Sequence, residues 1–173
     1  MSAEPSPDDE PSGPIHGAVR WFTGLASSTQ DRLIGLVLAV PSGGVLGTAL
    51  WLDADPAGVG THRQLGLGGC TILTSFGVPC PMCGMTTTFT HLAHLDVVAG
   101  VMTQPFGLVL FGGTAAAFGL GLSELLAPRT RWRRAAAVVD RHEGKIAAVL
   151  LIGMFGGWAY KWAAMEGYLP FVP

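Results

Sequence analysis

Along the chain the charged residues withdraw three times. Positions 33–52 form a run of 20 residues without a charge, bracketed by Asp31 and Arg32 before it and by Asp53 and Asp55 after it. Positions 106–127 carry only Glu124, and positions 146–165 carry only Lys161. An α-helix needs roughly 20 apolar residues to cross ~30 Å of hydrocarbon, and a helix in a soluble bundle seldom stays apolar on every side for that long. The pattern predicts an all-α, three-span transmembrane protein. Its single membrane domain covers 32–165, with spans at about 33–52, 106–127 and 146–165 and a long loop at 53–104 between the first two. A short tail, 166–173, follows. Within the loop, Met85, Phe89, Leu92 and Leu95 recur at helical spacing on one side of 81–95, with Cys83, Thr87, Thr90, His91 and His94 on the other. This predicts an amphipathic helix lying at the membrane interface, with Pro81 suited to its first position. A full crossing here would place His91, His94 and Asp96 in hydrocarbon at high cost.

Composition strengthens the membrane reading. Of 173 residues, 49% are hydrophobic and 13% charged, against about a quarter charged in ordinary soluble chains. The 25 glycines suit membrane helices, where small residues four apart let backbones approach. Such pairs occur at Gly43/Gly47, Ala115/Gly119 and Gly153/Gly157. Pro41 is placed to kink the first span. Trp51, Trp158, Tyr160, Trp162 and Tyr168 stand near span ends as interfacial aromatics do. Glu124 and Lys161 read as snorkelling side chains. A net charge of −2, with no basic aromatic stripe, gives nothing for nucleic acid to bind.

The stretch 129–145 holds six of the ten Lys and Arg residues, whereas the first loop holds only Arg63. Cytoplasmic loops gather positive charge, so 129–145 is expected inside, the 53–104 loop extracytoplasmic, and the N-terminus cytoplasmic. The Pro-, Ser- and acid-rich start, 1–14, reads as disordered and lacks the pattern of a cleavable signal. Residues 15–31, with Trp21, Phe22 and Leu25, read as a short interfacial helix.

Chemistry concentrates in the loop, where all three cysteines fall: Cys70, Cys80 and Cys83. Three uses are open. The first is a metal, with zinc the candidate, because C-x2-C followed by H-x2-H supplies ligand types. However, eight residues of helix separate Cys83 from His91 by roughly 12 Å, so a site would need Cys70, Cys80 and Cys83 with His62, or a broken helix. The second is thiol exchange. With Pro81 opening a helix, Cys80 would sit at its N-cap, where amides stabilise a thiolate. The C-P-x-C spacing resembles that of glutaredoxin-like thiol enzymes, without their βαβ surroundings. The third is a structural disulfide bracing the loop, natural in an oxidising compartment. His62, Thr87, His91 and His94 are secondary candidates; histidines at such positions are usually solvated or cap a helix end.

Cys80, Pro81, Cys83, Gly84 and Thr86, followed by Gln104 and Pro105, resemble a bacterial membrane family called domain of unknown function 2752. Its hallmark is C-P-x-C-G-x-T between spans, then an Asn-Pro or Gln-Pro pair opening the next span. The segment 55–67 and Cys70 are similar to one branch of it. Many members carry Arg where Thr87 stands here. The resemblance spans roughly 33–111 and implies a multi-pass protein of the bacterial inner membrane centred on its cysteines; it implies no reaction. The leading expectation is a non-catalytic accessory component, binding a membrane-protein partner or a second copy of itself within the lipid bilayer, its loop held by a disulfide or metal. The alternative is a membrane thiol–disulfide or metal-handling enzyme.

Overall fold

The computed structural model describes residues 14–168. The expected N-terminal tail lies almost wholly outside these residues, as does most of the C-terminal one. Among them the secondary structure is all helical: α1 (Pro14–Thr23), α2 (Ser27–Trp51), α3 (Thr71–Phe76), α4 (Met85–Ala93), α5 (Val97–Thr103), α6 (Pro105–Leu126), α7 (Arg131–Arg141) and α8 (Glu143–Met165), with a 3₁₀ turn at Thr61–Leu65. Three helices, α2, α6 and α8, are long and apolar enough to cross a membrane, the architecture of a multi-pass membrane protein. α4 has nine residues, roughly 14 Å at 1.5 Å per residue, and is too short to cross.

Local sequence explains the boundaries. Pro105 begins α6 at a position where its missing N–H is no loss. The Asp96 carboxylate accepts from the Ala99 N–H at 3.1 Å and caps α5. Pro41 is contained within an unbroken α2.

α2 packs along α6 more extensively than any other pair of elements. The closest approach is not at the small-residue pairs expected from spacing. A Cβ on Gly121 would stand 2.6 Å from the Ala39 nitrogen, and one on Gly35 2.9 Å from the Gly121 carbonyl oxygen. Backbone meets backbone there, which only glycine allows. Gly47 and Gly119 face open space, Gly43 meets the Phe118 ring, and Gly153 and Gly157 receive Phe106 and Gln104 from the start of α6.

At the end of the molecule that carries α7, two buried carboxylates replace the snorkelling expected of Glu124. Glu124 is fully buried and accepts the backbone N–H of Arg129 at 2.9 Å and of Arg131 at 2.6 Å. Asp31 accepts the Thr130 N–H at 3.1 Å and the Trp132 indole N–H at 2.8 Å. Gln30 accepts from the Arg133 guanidinium at 2.6 Å and donates to the Phe22 carbonyl at 2.9 Å. Carboxylates satisfied by backbone N–H groups tolerate burial. Here they fix the α6–α7 turn against α2.

Candidate functional site

α4, in the loop between α2 and α6, is buried on both of its faces, Met85 and Leu92 on the apolar side and Thr87 and Thr90 on the other. Thr87, Thr88 and Thr90 on α4 are fully buried, while Leu95 is 85% exposed. Thr87 shares a hydrogen bond with Thr61 across 2.8 Å, hydroxyl to hydroxyl, and Thr61 also accepts from the Asp55 N–H at 3.0 Å. Thr88 donates to the Gly100 carbonyl at 3.2 Å. Each hydroxyl has its partner, so the buried threonines join Met85 and Leu92 in holding the loop together.

α8 then stitches that loop to the membrane-spanning part. The Trp158 indole donates to the Pro79 carbonyl at 2.7 Å, the Tyr160 hydroxyl to the Met102 carbonyl at 2.9 Å, and the Lys161 ammonium to the Gly58 carbonyl at 3.0 Å. Lys161 is fully buried and does not snorkel. Trp158 and Tyr160 are hooks as well as aromatics near a span end. These contacts went unread in the sequence, although a lone lysine three residues after a tryptophan in an apolar helix put both on one face.

The expected helix over 81–95 does not begin at Pro81. Residues 80–84 form a turn, closed by the Cys83 N–H on the Cys80 carbonyl at 2.9 Å, and Gly84 precedes α4 with φ of 86°. Cys80 is therefore not an N-cap. The cysteine that precedes a helix is Cys70, before α3.

All three thiols are free and line one half-open cleft of about 310 Å³, together with His62, Arg63 and Thr87. Cys70 and Cys80 are half-buried; Cys83 is buried. The thiols are near enough to act on one another's acidity, Cys70 on Cys80 and Cys80 on Cys83. Their acidities differ for physical reasons. Hydrogen bonding from the Leu73 backbone, then from the Cys80 thiol and the Ile72 backbone, lowers the Cys70 pKa below the ordinary thiol value. Burial, then the hydrogen bond to Cys70, raises that of Cys80. Burial, then repulsion from the other two thiolates, pushes Cys83 up to about 11, against the pull of Lys161.

Of the secondary candidates, His62 and Thr87 line this cleft and His91 and His94 do not. His62 Nε2 lies 3.2 Å from the Gly68 carbonyl. His94 bonds the Thr90 carbonyl at 2.9 Å, closing the end of α4, and His91 pairs with Asp96 at 3.4 Å. Cys70, Cys80, Cys83 and His62 thus share the cleft, as the four-ligand set for zinc would require. Even so, no group of three or more Cys, His, Asp or Glu side chains among the described residues has the arrangement to hold a metal ion.

Gln104, fully buried between α5 and α6, has neither polar atom of its carboxamide hydrogen-bonded among the described residues. Its oxygen stands 2.9 Å from where a Cβ on Gly157 would be. It lies outside the cysteine cleft.

No curated protein and no solved structure matches the chain. Residues 70–118, less than a third of the chain, do match a family model. The match begins at Cys70 and takes in the thiol turn, α4, α5 and the first half of α6; the segment 55–67 falls outside it. Over the part that carries the cysteines, the chain therefore resembles the family described as "Protein of unknown function (DUF2752)".

Proposed function

We infer that this multi-pass membrane protein carries a thiol–disulfide exchange site, with Cys70 as the attacking thiol and Cys80 as the resolving one. The observation that carries the reading is the gathering of three free thiols in one cleft, the first more acidic than its neighbours. The thiolate is the nucleophile, and a neighbouring thiol in the same cleft is placed to resolve a mixed disulfide. In the forward reaction the Cys70 thiolate attacks one sulfur of a partner's disulfide, and the partner's other sulfur leaves as a thiolate. Cys80, once deprotonated, attacks the Cys70 sulfur, and the second partner thiolate leaves. The partner's disulfide has gained two electrons and the protein has become a Cys70–Cys80 disulfide; the reverse reaction oxidises the partner.

The bracing reading, an accessory component whose loop is locked by a disulfide, is less favoured. The loop is already held by Trp158, Tyr160, Lys161 and the Thr61–Thr87 pair without any covalent link. A zinc-handling role lacks a convergent ligand set among the described residues.

Oxidised glutathione serves as the test disulfide. With Cys80→Ser, a glutathione adduct should accumulate on Cys70 and be located by peptide mass spectrometry; in the wild type it should be short-lived. An adduct on Cys83, or none at all in folded protein, would sink the assignment.

A further inference from the structure

Thiol exchange as described employs Cys70 and Cys80 and leaves Cys83 without a task. Yet Cys83 is held as the inner neighbour of Cys80. The 2.9 Å bond from its N–H to the Cys80 carbonyl closes a four-residue turn through Pro81 and Met82. Such a turn brings its first and last Cα atoms within about 7 Å, and disulfides bridge Cα separations of roughly 4.4–6.8 Å. Cys80 therefore has two thiol neighbours: buried Cys83 across the turn, and half-buried Cys70 in the shared cleft.

Against the inner thiol stands Lys161 of α8. Its ammonium donates to the Gly58 carbonyl at 3.0 Å. Its Cε is 3.3 Å from where a Cβ on Gly84, the residue after Cys83, would lie. The cation is thus packed against the turn that carries Cys83, and a buried cation favours an anion beside it.

Resting on the thiol-exchange reading above, we propose that the three cysteines form a relay: a disulfide made between Cys70 and Cys80 is passed inward to Cys80 and Cys83, with Lys161 as the positioning residue for the inner thiolate. In the transfer, the Cys83 thiolate attacks the Cys80 sulfur. The Cys80–Cys83 bond forms, the Cys70–Cys80 bond breaks, and Cys70 leaves as a thiolate. One disulfide is exchanged for another, so no outside oxidant or reductant enters. The proton that Cys83 gives up passes to Cys70 or to solvent. Cys70, whose acidity is enhanced by its hydrogen bonds, is the better leaving group of the pair, which favours the inward direction. The disulfide ends beside the third span, away from the partner that delivered it.

The test uses full-length protein in detergent, reduced, treated with one equivalent of diamide, acid-quenched and mapped by mass spectrometry. Folding of each variant is checked by circular dichroism. In the wild type both Cys70–Cys80 and Cys80–Cys83 should be found. Cys83→Ser should close Cys70–Cys80, Cys70→Ser should close Cys80–Cys83, and Cys80→Ser should lose intramolecular closure. If folded Cys70→Ser fails to close Cys80–Cys83, or the wild type contains only the outer disulfide, the relay is overturned while thiol exchange stands. If folded Cys83→Ser cannot close Cys70–Cys80, thiol exchange itself is overturned. In the Cys70→Ser background, Lys161→Met should shift the pH–rate profile of Cys80–Cys83 closure to higher pH, and Lys161→Arg should restore it. An unmoved profile removes Lys161 from the relay.

Discussion

Gly84 ends the thiol turn in the left-handed region, at φ of 86°, and its replacement by alanine combines three separable costs. An L side chain in that conformation costs roughly 1–2 kcal/mol. The new methyl would stand 3.0 Å from the Gly58 carbonyl oxygen, and 3.3 Å from both Lys161 Cε and Thr103 Cγ2. Overpacking of this kind typically costs about 1–3 kcal/mol. The crowded oxygen is also the acceptor of the buried Lys161 hydrogen bond, and hydrogen bonds to charged groups contribute about 1.5–3 kcal/mol, part of which would be lost. Gly77 provides the control: its φ is 69°, with nothing within 4 Å of an added Cβ. Gly77→Ala should therefore show the conformational cost alone, about 1–2 kcal/mol. Gly84→Ala should show about 3–5 kcal/mol once crowding and the weakened hydrogen bond are added. Denaturant unfolding in detergent, followed by circular dichroism, measures both. Maleimide labelling of Cys83 in the native protein reports whether the turn has opened. Equal destabilisation by the two substitutions, with Cys83 still protected in Gly84→Ala, would refute the view that Gly84 is required by the close approach of residue 58 and Lys161.

Three further outcomes are expected. Alkylation by iodoacetamide across pH should modify Cys70 with a midpoint below the ordinary thiol value, and Cys83 last, near about 11; peptide mass spectrometry reads the order, and Cys83 reacting first would contradict the burial described. Thr87→Val, which removes the buried partner of the Thr61 hydroxyl, should lower stability by about 1–2 kcal/mol in the same unfolding assay, and a neutral result would mean the hydroxyl pair adds nothing net. For orientation, in a cysteine-free background in intact cells, a cysteine at exposed Gln64 should react with an impermeant maleimide and one at Arg134 only after lysis, as the concentration of positive charge in 129–145 predicts; the reverse pattern would invert the topology.

The three spans were legible because an apolar run of that length, all but free of charge, can be little else than a membrane helix. The loop was half legible. Its cysteines announced themselves, but their grouping depends on Cys70 returning beside Cys80 through α3, and no local rule sets that path. Pro81 is a sound helix opener, yet Gly84 three residues later, in a left-handed conformation, ends the turn and starts α4 afresh. Periodicity correctly separated the two faces of α4. It could not say that both faces are buried: Met85 and Leu92 pack inward, and the threonines also turn inward because they find partners. Lys161 and Glu124 were misread for a related reason. The cost of a charge in a span is known from sequence, whereas the carbonyl or N–H that offsets it is set by the fold: for Lys161 it comes from a segment distant in the chain, for Glu124 from the turn just beyond its helix.

The three hooks from α8 have a consequence for how the protein is made. Trp158, Tyr160 and Lys161 grasp residues synthesised 79, 58 and 103 positions earlier. A chain emerging from its N-terminus has both of its first two spans, and their glycine contact, before any hook exists. Until the last helix is threaded, the segment bearing Cys70, Cys80 and Cys83 has no fixed cover on its Pro79 and Gly58 side. The thiols are then open to reaction before the cleft orders them. A chain ending before Trp158 should still pair α2 with α6, yet show Cys83 as readily labelled by maleimide as Cys70. The interval between the second and third insertions is then the time when the three thiols are least constrained by the fold.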